Sequence, residues 1–341
     1  MVGANHLGDL LYRSNALKAL STGLPDAEIH YLAAPETSGL LHGNPAITKI
    51  WPWMRSDSPL DMAPEHFEAL KNFHFDALLA TNSGRYWPEL KLGIRLAIPN
   101  RAGYIWKGFS GWVTHPIPIH YPQPYPAYFR DYVAYLTGQP SNESLRPRLF
   151  PDAQEVAEAK AVWTTVNEAG DKPVLACFMT TRQSIGALPS EMVGHTLQEV
   201  AKRLAVRLVL MGAAADGKLL GQVNQRFGLN ARVVAGVLKP GALSCFLSRC
   251  CGVVTADSGP RHLANAGGVP VFFFRNLAGQ RVETGAYVSS EIDLCPMGLE
   301  CLNDTEQRRV LSAISPVVSA IRIVEGIEAH SKKELSNANH R

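Results

Sequence analysis

Two short runs of this 341-residue chain combine residue types that can act on a phosphate or a hydroxyl. The first, Asp257-Ser258-Gly259-Pro260-Arg261-His262, follows the apolar stretch 251–256 and places an acid, a hydroxyl and a glycine where a buried parallel strand hands over to a helix. In an open α/β sheet, ligands bind at the carboxyl ends of the strands. A helix beginning at Gly259-Pro260 aims its free N–H groups and positive dipole end at an anion there. Pro260 suits the first helical turn, which needs no donor, and His262 falls where it can bond a phosphate or a sugar hydroxyl. The same residues also describe an ordinary capped helix with a half-buried histidine, because Asp and Ser are common N-caps. The second run, Gly3-Ala4-Asn5-His6-Leu7-Gly8-Asp9, puts two glycines and an acid at another strand-to-helix turn. Asn5 stands where the dinucleotide fingerprint requires its second glycine, which disfavours a nicotinamide enzyme. Asp9 then reads either as a helix cap or as an acid at the top of a sheet facing a cleft.

The elements that must hold these residues form two βα series. In the first half, strands are expected over 27–33, 47–51 and 75–80, with helices starting near Leu10, Met62 and Arg85. Pro116, Pro118, Pro122, Pro124 and Pro126 break regular structure before a helical run over 128–136, and 140–151 reads as a linker. The pattern then restarts with a helix over 153–167, a strand over 173–179, a helix over 191–204, and strands over 206–211, 231–234, 253–255 and 269–274. Two such series predict an α/β protein of two Rossmann-like domains facing a cleft, 1–145 and 151–325. The last helix, 305–324, is expected to cross back onto the first domain, and the polar stretch 326–341 to be a flexible tail. Little chain precedes Gly8, so the first strand is expected to be truncated in this sequence.

Composition narrows the partners. A net charge of +3, 18% charged residues and no block of like charges argue against a nucleic-acid binder and leave room for a small anionic ligand. Six cysteines (Cys177, Cys245, Cys250, Cys251, Cys295, Cys301) show no zinc-like pair of pairs and read as reduced thiols. No basic-then-apolar leader opens the sequence and no apolar run is long enough to span a bilayer. A cytoplasmic protein is expected, one that can still work at a membrane surface.

The segments His6 to Leu11, Asn15 to Leu20 and Leu24 to Leu32 resemble the start of the heptosyltransferases of glycosyltransferase family 9. The run from Asp257 to Leu263 resembles that family's donor-site motif, and residues 295–304 with 310–314 are similar to its cysteine-containing end and final helix. The likeness runs through most of the chain in the same order. It implies a GT-B fold with an acceptor domain first, a nucleotide-sugar domain second, no metal and no cofactor. It also implies that Asp9, with Gly8 on the acceptor side, is the catalytic base, and that the donor diphosphate sits at the helix after Asp257 near Ser258, Gly259 and His262. Thr180-Thr181-Arg182 resembles a segment whose hydroxyls and N–H groups touch the phosphates. One departure stands out: the family carries a lysine shortly before a Trp-Pro pair, whereas this chain reads Gln183-Ser184-Ile185-Gly186-Ala187-Leu188-Pro189. A cation facing a departing diphosphate contributes on the order of 2 to 4 kcal/mol in a dry site. Arg182 is the residue placed to compensate.

The expected reaction is transfer of a sugar, heptose from ADP-heptose, onto a saccharide or glycolipid acceptor such as lipopolysaccharide core, with inversion and without metal, at the cytoplasmic face of the inner membrane. Two other readings share the architecture: a sugar-nucleotide epimerase and a catalytically silent nucleotide-sugar-binding protein. The arginines Arg55, Arg85, Arg95 and Arg101, with Trp106-Lys107, meet an anionic acceptor or merely solvate a surface. Tyr121, Tyr125, Tyr128, Phe129 and Tyr132 line a sugar cleft or pack a helix.

Overall fold

Strands of a parallel sheet are covered on both faces, so they read as unbroken apolar runs, and the second half of the chain supplies several. The computed structural model describes residues 7–53, 62–81, 87–104, 110–120, 122–140, 144–168, 170, 172–181, 187–277, 281–297 and 303–338. The chain divides into two compact units, Met1–Phe150 and Pro151–Arg341. The division falls a few residues beyond the expected 145. Arg148 N donates to Ser14 Oγ at 2.9 Å and Asn15 Nδ2 to Leu145 O at 3.3 Å, which ties this stretch to the first unit.

In the first unit the described elements are α1 (Leu7–Ser14), α2 (Leu17–Gly23), β1 (His30–Ala33), α3 (Pro35–Ser38), β2 (Lys49–Pro52), α4 (Pro64–Asn72), β3 (Ala77–Leu79), α5 (Trp87–Arg95), β4 (Asn100–Tyr104), β5 (His115–Ile117) and α6 (Tyr125–Thr137). Strand β1 pairs in parallel with β2, and β3, β4 and β5 form a second parallel group in that order. Proline was expected to exclude regular structure after residue 106, yet β5 contains Pro116. An edge strand tolerates it, because one side of its backbone needs no ladder partner, and β5 pairs only with β4 among the described strands. The expected first strand, at residues 1–5, lies outside the described residues.

The second unit carries α7 (Ala153–Asn167), β6 (Val174–Phe178), α8 (Ser190–Arg203), β7 (Arg207–Gly212), α9 (Gly217–Arg226), β8 (Arg232–Ala235), α10 (Pro240–Leu247), β9 (Gly252–Ala256), α11 (Gly259–Gly267), β10 (Val271–Phe274), α12 (Arg281–Thr284), β11 (Glu291–Asp293), α13 (Asp304–Ala313) and α14 (Pro316–Ala338). Helix α7 starts where a capping box closes, with Glu155 N on Asp152 Oδ1 at 2.8 Å and Asp152 N on Glu155 Oε2 at 3.1 Å. All six strands run parallel in the order β11-β10-β9-β6-β7-β8. The chain therefore lays β6, β7 and β8 in one direction, then returns to place β9, β10 and β11 on the other side of β6. This is the doubly wound Rossmann order, with its switch point between β6 and β9.

The carboxyl-terminal helix differs from expectation twice. Ser315-Pro316 splits it into α13 and α14, bent by 73°, since proline removes a donor and clashes with the preceding turn. The polar stretch after residue 325 is helical as far as Ala338 rather than loose. Ala320, Ile323 and Ile327, spaced three and four apart, are buried in the second unit's core with Leu197, Val254 and Phe272, and Gly326 brings the helix against the Phe272 ring. That apolar face continues past the point where composition turns polar.

Candidate active site

The carboxyl ends of β6 and β9 lie side by side, with Phe178 in register with Thr255. Met179-Thr180-Thr181 and Asp257-Ser258 therefore emerge together at the switch point, where open α/β sheets bind ligands. Helix α11 starts there. Ser258 adopts an extended conformation, Pro260 occupies the first turn, and Gly268 ends the helix at φ 80°, a left-handed position glycine takes without strain. No side chain caps its amino end. The Ser258 hydroxyl turns back to Ala256 O at 3.4 Å, and the Asp257 carboxylate is taken by Arg261 Nη1 at 2.7 Å. The helix start thus faces the switch point with its backbone.

The side chains expected to touch phosphate have partners within the protein. Thr180 Oγ1 donates to Asp216 Oδ2 at 2.8 Å, and the same oxygen receives Ala213 N at 2.8 Å, which fixes the turn after β7. His262 is buried, its Nδ1 lies 2.7 Å from Tyr287 Oη, and its ring stacks on Tyr287 at 5.7 Å. Burial, followed by the Arg261 charge, holds its pKa well below the usual 6.5, so the ring is neutral. Thr181 is half-buried at the same strand end. Arg182 and the Gln183 to Gly186 stretch lie outside the described residues.

Sequence reasoning missed the group that builds this frame. Arg261 is 1% exposed and uses five N–H donors: Nε to Glu291 Oε1 at 2.5 Å, Nη1 to Asp257 Oδ1 at 2.7 Å and to Thr284 O at 2.8 Å, and Nη2 to Gly285 O at 2.5 Å and to Glu291 Oε2 at 3.1 Å. Its guanidinium also lies 3.6 Å from the Phe273 ring centroid. Asn265, one turn on, donates to Glu291 Oε1 and Tyr287 Oη, both at 2.7 Å. The signal available in the sequence was the spacing of Arg261 and Asn265, two polar residues on one face of a short helix between buried strands.

In the first unit, Gly8 and Asp9 occupy the first turn of α1 and are half-buried. Arg13, one turn later, is buried and donates to Asp9 O at 3.2 Å and, through Nη2, to Thr81 O at 3.5 Å, joining the helix to the carboxyl end of β3. It forms no ion pair among the described residues. Tyr31 and Tyr104 are buried nearby, and burial raises both phenol pKa values, partly offset by the Arg13 charge. Of the arginines considered for an acceptor, Arg101 braces the backbone through Trp112 O at 2.8 Å and Ile98 O at 2.6 Å, and Arg95 stacks on Phe67. Tyr128, Phe129 and Tyr132 are buried packing residues, whereas Tyr125 is half-buried. Arg55, Arg85, Trp106, Lys107 and Tyr121 lie outside the described residues. Among the described residues no three His, Cys, Asp or Glu side chains are grouped to hold a metal, the five described cysteines form no disulfide, and no single helix is long and apolar enough to cross a membrane.

The sequence profile of glycosyltransferase family 9 (heptosyltransferase) matches residues 92–309, more than half of the chain and including the whole switch-point frame. The chain belongs to that family. Its transferase fold is GT-B, shared with a family 9 glycosyltransferase from Veillonella parvula at 16% identity and a TM-score of 0.76, covering 96% of this chain and 95% of the other. The E. coli ADP-heptose lipopolysaccharide heptosyltransferase II gives 15% identity and a TM-score of 0.73 over 97% and 98% of the two chains. An E. coli heptosyltransferase solved with ADP-2-deoxy-2-fluoro heptose gives 18% and 0.69 over 95% and 98%. No curated protein sequence matches this transferase significantly. The profile match begins after the Gly8-Asp9 pair, so it covers the end of the first unit and most of the second but not α1.

Proposed function

We propose that this transferase moves a heptose from ADP-heptose onto a saccharide acceptor such as lipopolysaccharide core, with inversion and without a metal. The observation that carries the reading is the uncapped amino end of α11 at the β6/β9 switch point, with backbone donors facing the place where an α/β sheet binds phosphate. In the reaction, the acceptor oxygen forms its bond to the anomeric carbon while the bond from that carbon to the diphosphate breaks. The electron pair leaves with the nucleoside diphosphate, and the acceptor proton passes to Asp9. A carboxylate is a weak base, so its proton transfer completes late, when the oxygen has already become acidic. Stabilising the departing diphosphate then governs the rate, and the α11 dipole supports it. A glycolipid acceptor brings the enzyme to the cytoplasmic face of the inner membrane.

The test is product analysis with ADP-heptose and deacylated lipopolysaccharide core, in the presence and absence of EDTA. Wild-type protein releases ADP and extends the oligosaccharide in both conditions. Asp9→Ala abolishes extension and leaves the ADP dissociation constant within about twofold. An Asp9→Ala enzyme of undiminished activity, or transfer that stops with EDTA, overturns the corresponding part of the reading.

A further inference from the structure

Helix α1 carries Asp9 in its first turn, and a side chain one turn later holds that turn in place. Arg13 Nη1 donates to Asp9 O at 3.2 Å, and Nη2, the other arm of the same planar fork, reaches Thr81 O at 3.5 Å. Thr81 follows Ala80, whose N–H is bound by Ala102 O of β4 at 2.9 Å, so the second carbonyl sits on the end of a hydrogen-bonded ladder. One guanidinium thus ties the Asp9 main chain to the carboxyl end of β3, the edge at which a parallel sheet binds ligands. A buried guanidinium is a costly way to pack a helix. Arg13 is 6% exposed, its charge acts on the buried phenols of Tyr31 and Tyr104, and among the described residues it forms no ion pair. A buried charge answered only by neutral groups costs stability, and an apolar side chain of similar length would suit the core better. Such departures from a core's own rule belong at functional sites.

We propose that Arg13 is a positioning residue that braces the first turn of α1, and with it Asp9, against the carboxyl end of β3. Its effect on the reaction rests on the reading of Asp9 as the base. In this role Arg13 touches neither substrate and acts on the rate through the Asp9 main chain.

The test compares wild type, Arg13→Met and Arg13→Lys in the full chain. Hydrogen exchange over peptides spanning residues 7–16 reads the brace without turnover: in Arg13→Met it quickens several-fold there, while peptides from the second unit exchange as in wild type. With ADP-heptose and deacylated lipopolysaccharide core, kcat of Arg13→Met falls roughly ten- to a hundredfold and KM for each substrate stays within about threefold, because a misplaced base slows the chemical step without weakening binding. Lysine keeps the charge but cannot fork to two carbonyls, so Arg13→Lys gives an intermediate loss in kcat with the same unchanged KM. Should Arg13→Met fail to fold, Arg13→Lys carries both readouts. Unchanged exchange in the folded variants overturns the brace, and so does full kcat in Arg13→Lys, since the charge alone would then suffice. A raised KM with kcat unchanged overturns the positioning role, because Arg13 would then bind substrate. An Asp9→Ala protein of undiminished activity rejects the base reading instead, and the exchange measurement still decides the brace.

Discussion

Arg261→Met removes the cation at the centre of the switch-point frame, and the structure sets the size of the loss. The Arg261 and Glu291 side chains are 1% and 0% exposed, so the variant leaves a carboxylate buried without its counter-ion. Breaking such a pair from one side costs about 3–5 kcal/mol. In a unit of this size each kcal/mol lowers Tm by about 2–4 °C, which puts the expected fall at about 6–20 °C. Methionine keeps most of the volume against Phe273, so the loss is electrostatic rather than a cavity. Neutralising the stranded partner should therefore recover part of it. Arg261→Met/Glu291→Gln is expected to be about 1–3 kcal/mol more stable than the sum of the two single changes, because the amide needs no cation and its oxygen still accepts from Asn265 or Tyr287 N. Thermal and urea unfolding of the four proteins measure the coupling, and calorimetry with ADP runs beside them. A single-variant loss below about 1 kcal/mol, or strict additivity, refutes the buried hub. So does an Arg261→Lys protein of full stability that no longer binds ADP, because Arg261 would then be a phosphate ligand.

Two further outcomes follow from the same frame. His262 has a folded pKa depressed below its unfolded value of 6.5, so its contribution to stability is complete above about pH 6.5 and declines as pH falls below it, when the unfolded chain takes up a proton that the folded ring refuses. Urea midpoints at about pH 5 and pH 7.5 should differ less in His262→Gln than in wild type, and an identical difference rejects the buried neutral ring. Thr180→Val removes the hydroxyl that donates to Asp216 and should cost about 1–2 kcal/mol of stability while leaving ADP affinity within about twofold. A stable Thr180→Val protein with weakened ADP binding would return Thr180 to the phosphates.

The backbone of this enzyme was legible where the pattern is strong. Helix α7 spans the expected 153–167, and β6, β7, β9 and β10 sit on the expected apolar runs. Strand β11 was not legible. Two of its three residues, Glu291 and Asp293, are acids, buried because arginines from other elements reach them. The site divides in the same way. The turn after β9 was singled out by strand-to-helix grammar, and the turn after β6 by the family resemblance. The tasks of its side chains were not legible, because their partners are remote in sequence: Thr180 meets Asp216 36 residues on, and Arg261 meets Glu291 30 residues on. Local residue types announced phosphate contacts, whereas long-range hydrogen bonds tie Thr180 and His262 into the frame and local ones occupy Asp257 and Ser258.

That assignment sharpens the question of charge. At the start of α11 one guanidinium faces the carboxylates of Asp257 and Glu291, so the described side chains there sum to one negative charge. The helix end supplies only about half an elementary positive charge against it. A diphosphate carries at least two negative charges, and backbone amides alone leave it under-compensated as it departs. The family's lysine, the obvious remedy, is missing from Gln183 to Leu188. The cation nearest in sequence to the strand end is Arg182, directly after Thr181. Arg182→Ala is therefore expected to weaken ADP binding about ten- to a hundredfold at low salt, the range of a charge-assisted pair with a phosphate, with Arg182→Lys intermediate because lysine lacks the bidentate fork. The loss should shrink as salt is raised. Calorimetry at two salt concentrations decides the matter: an Arg182→Ala protein that binds ADP as tightly as wild type at low salt would show that the leaving group is neutralised elsewhere.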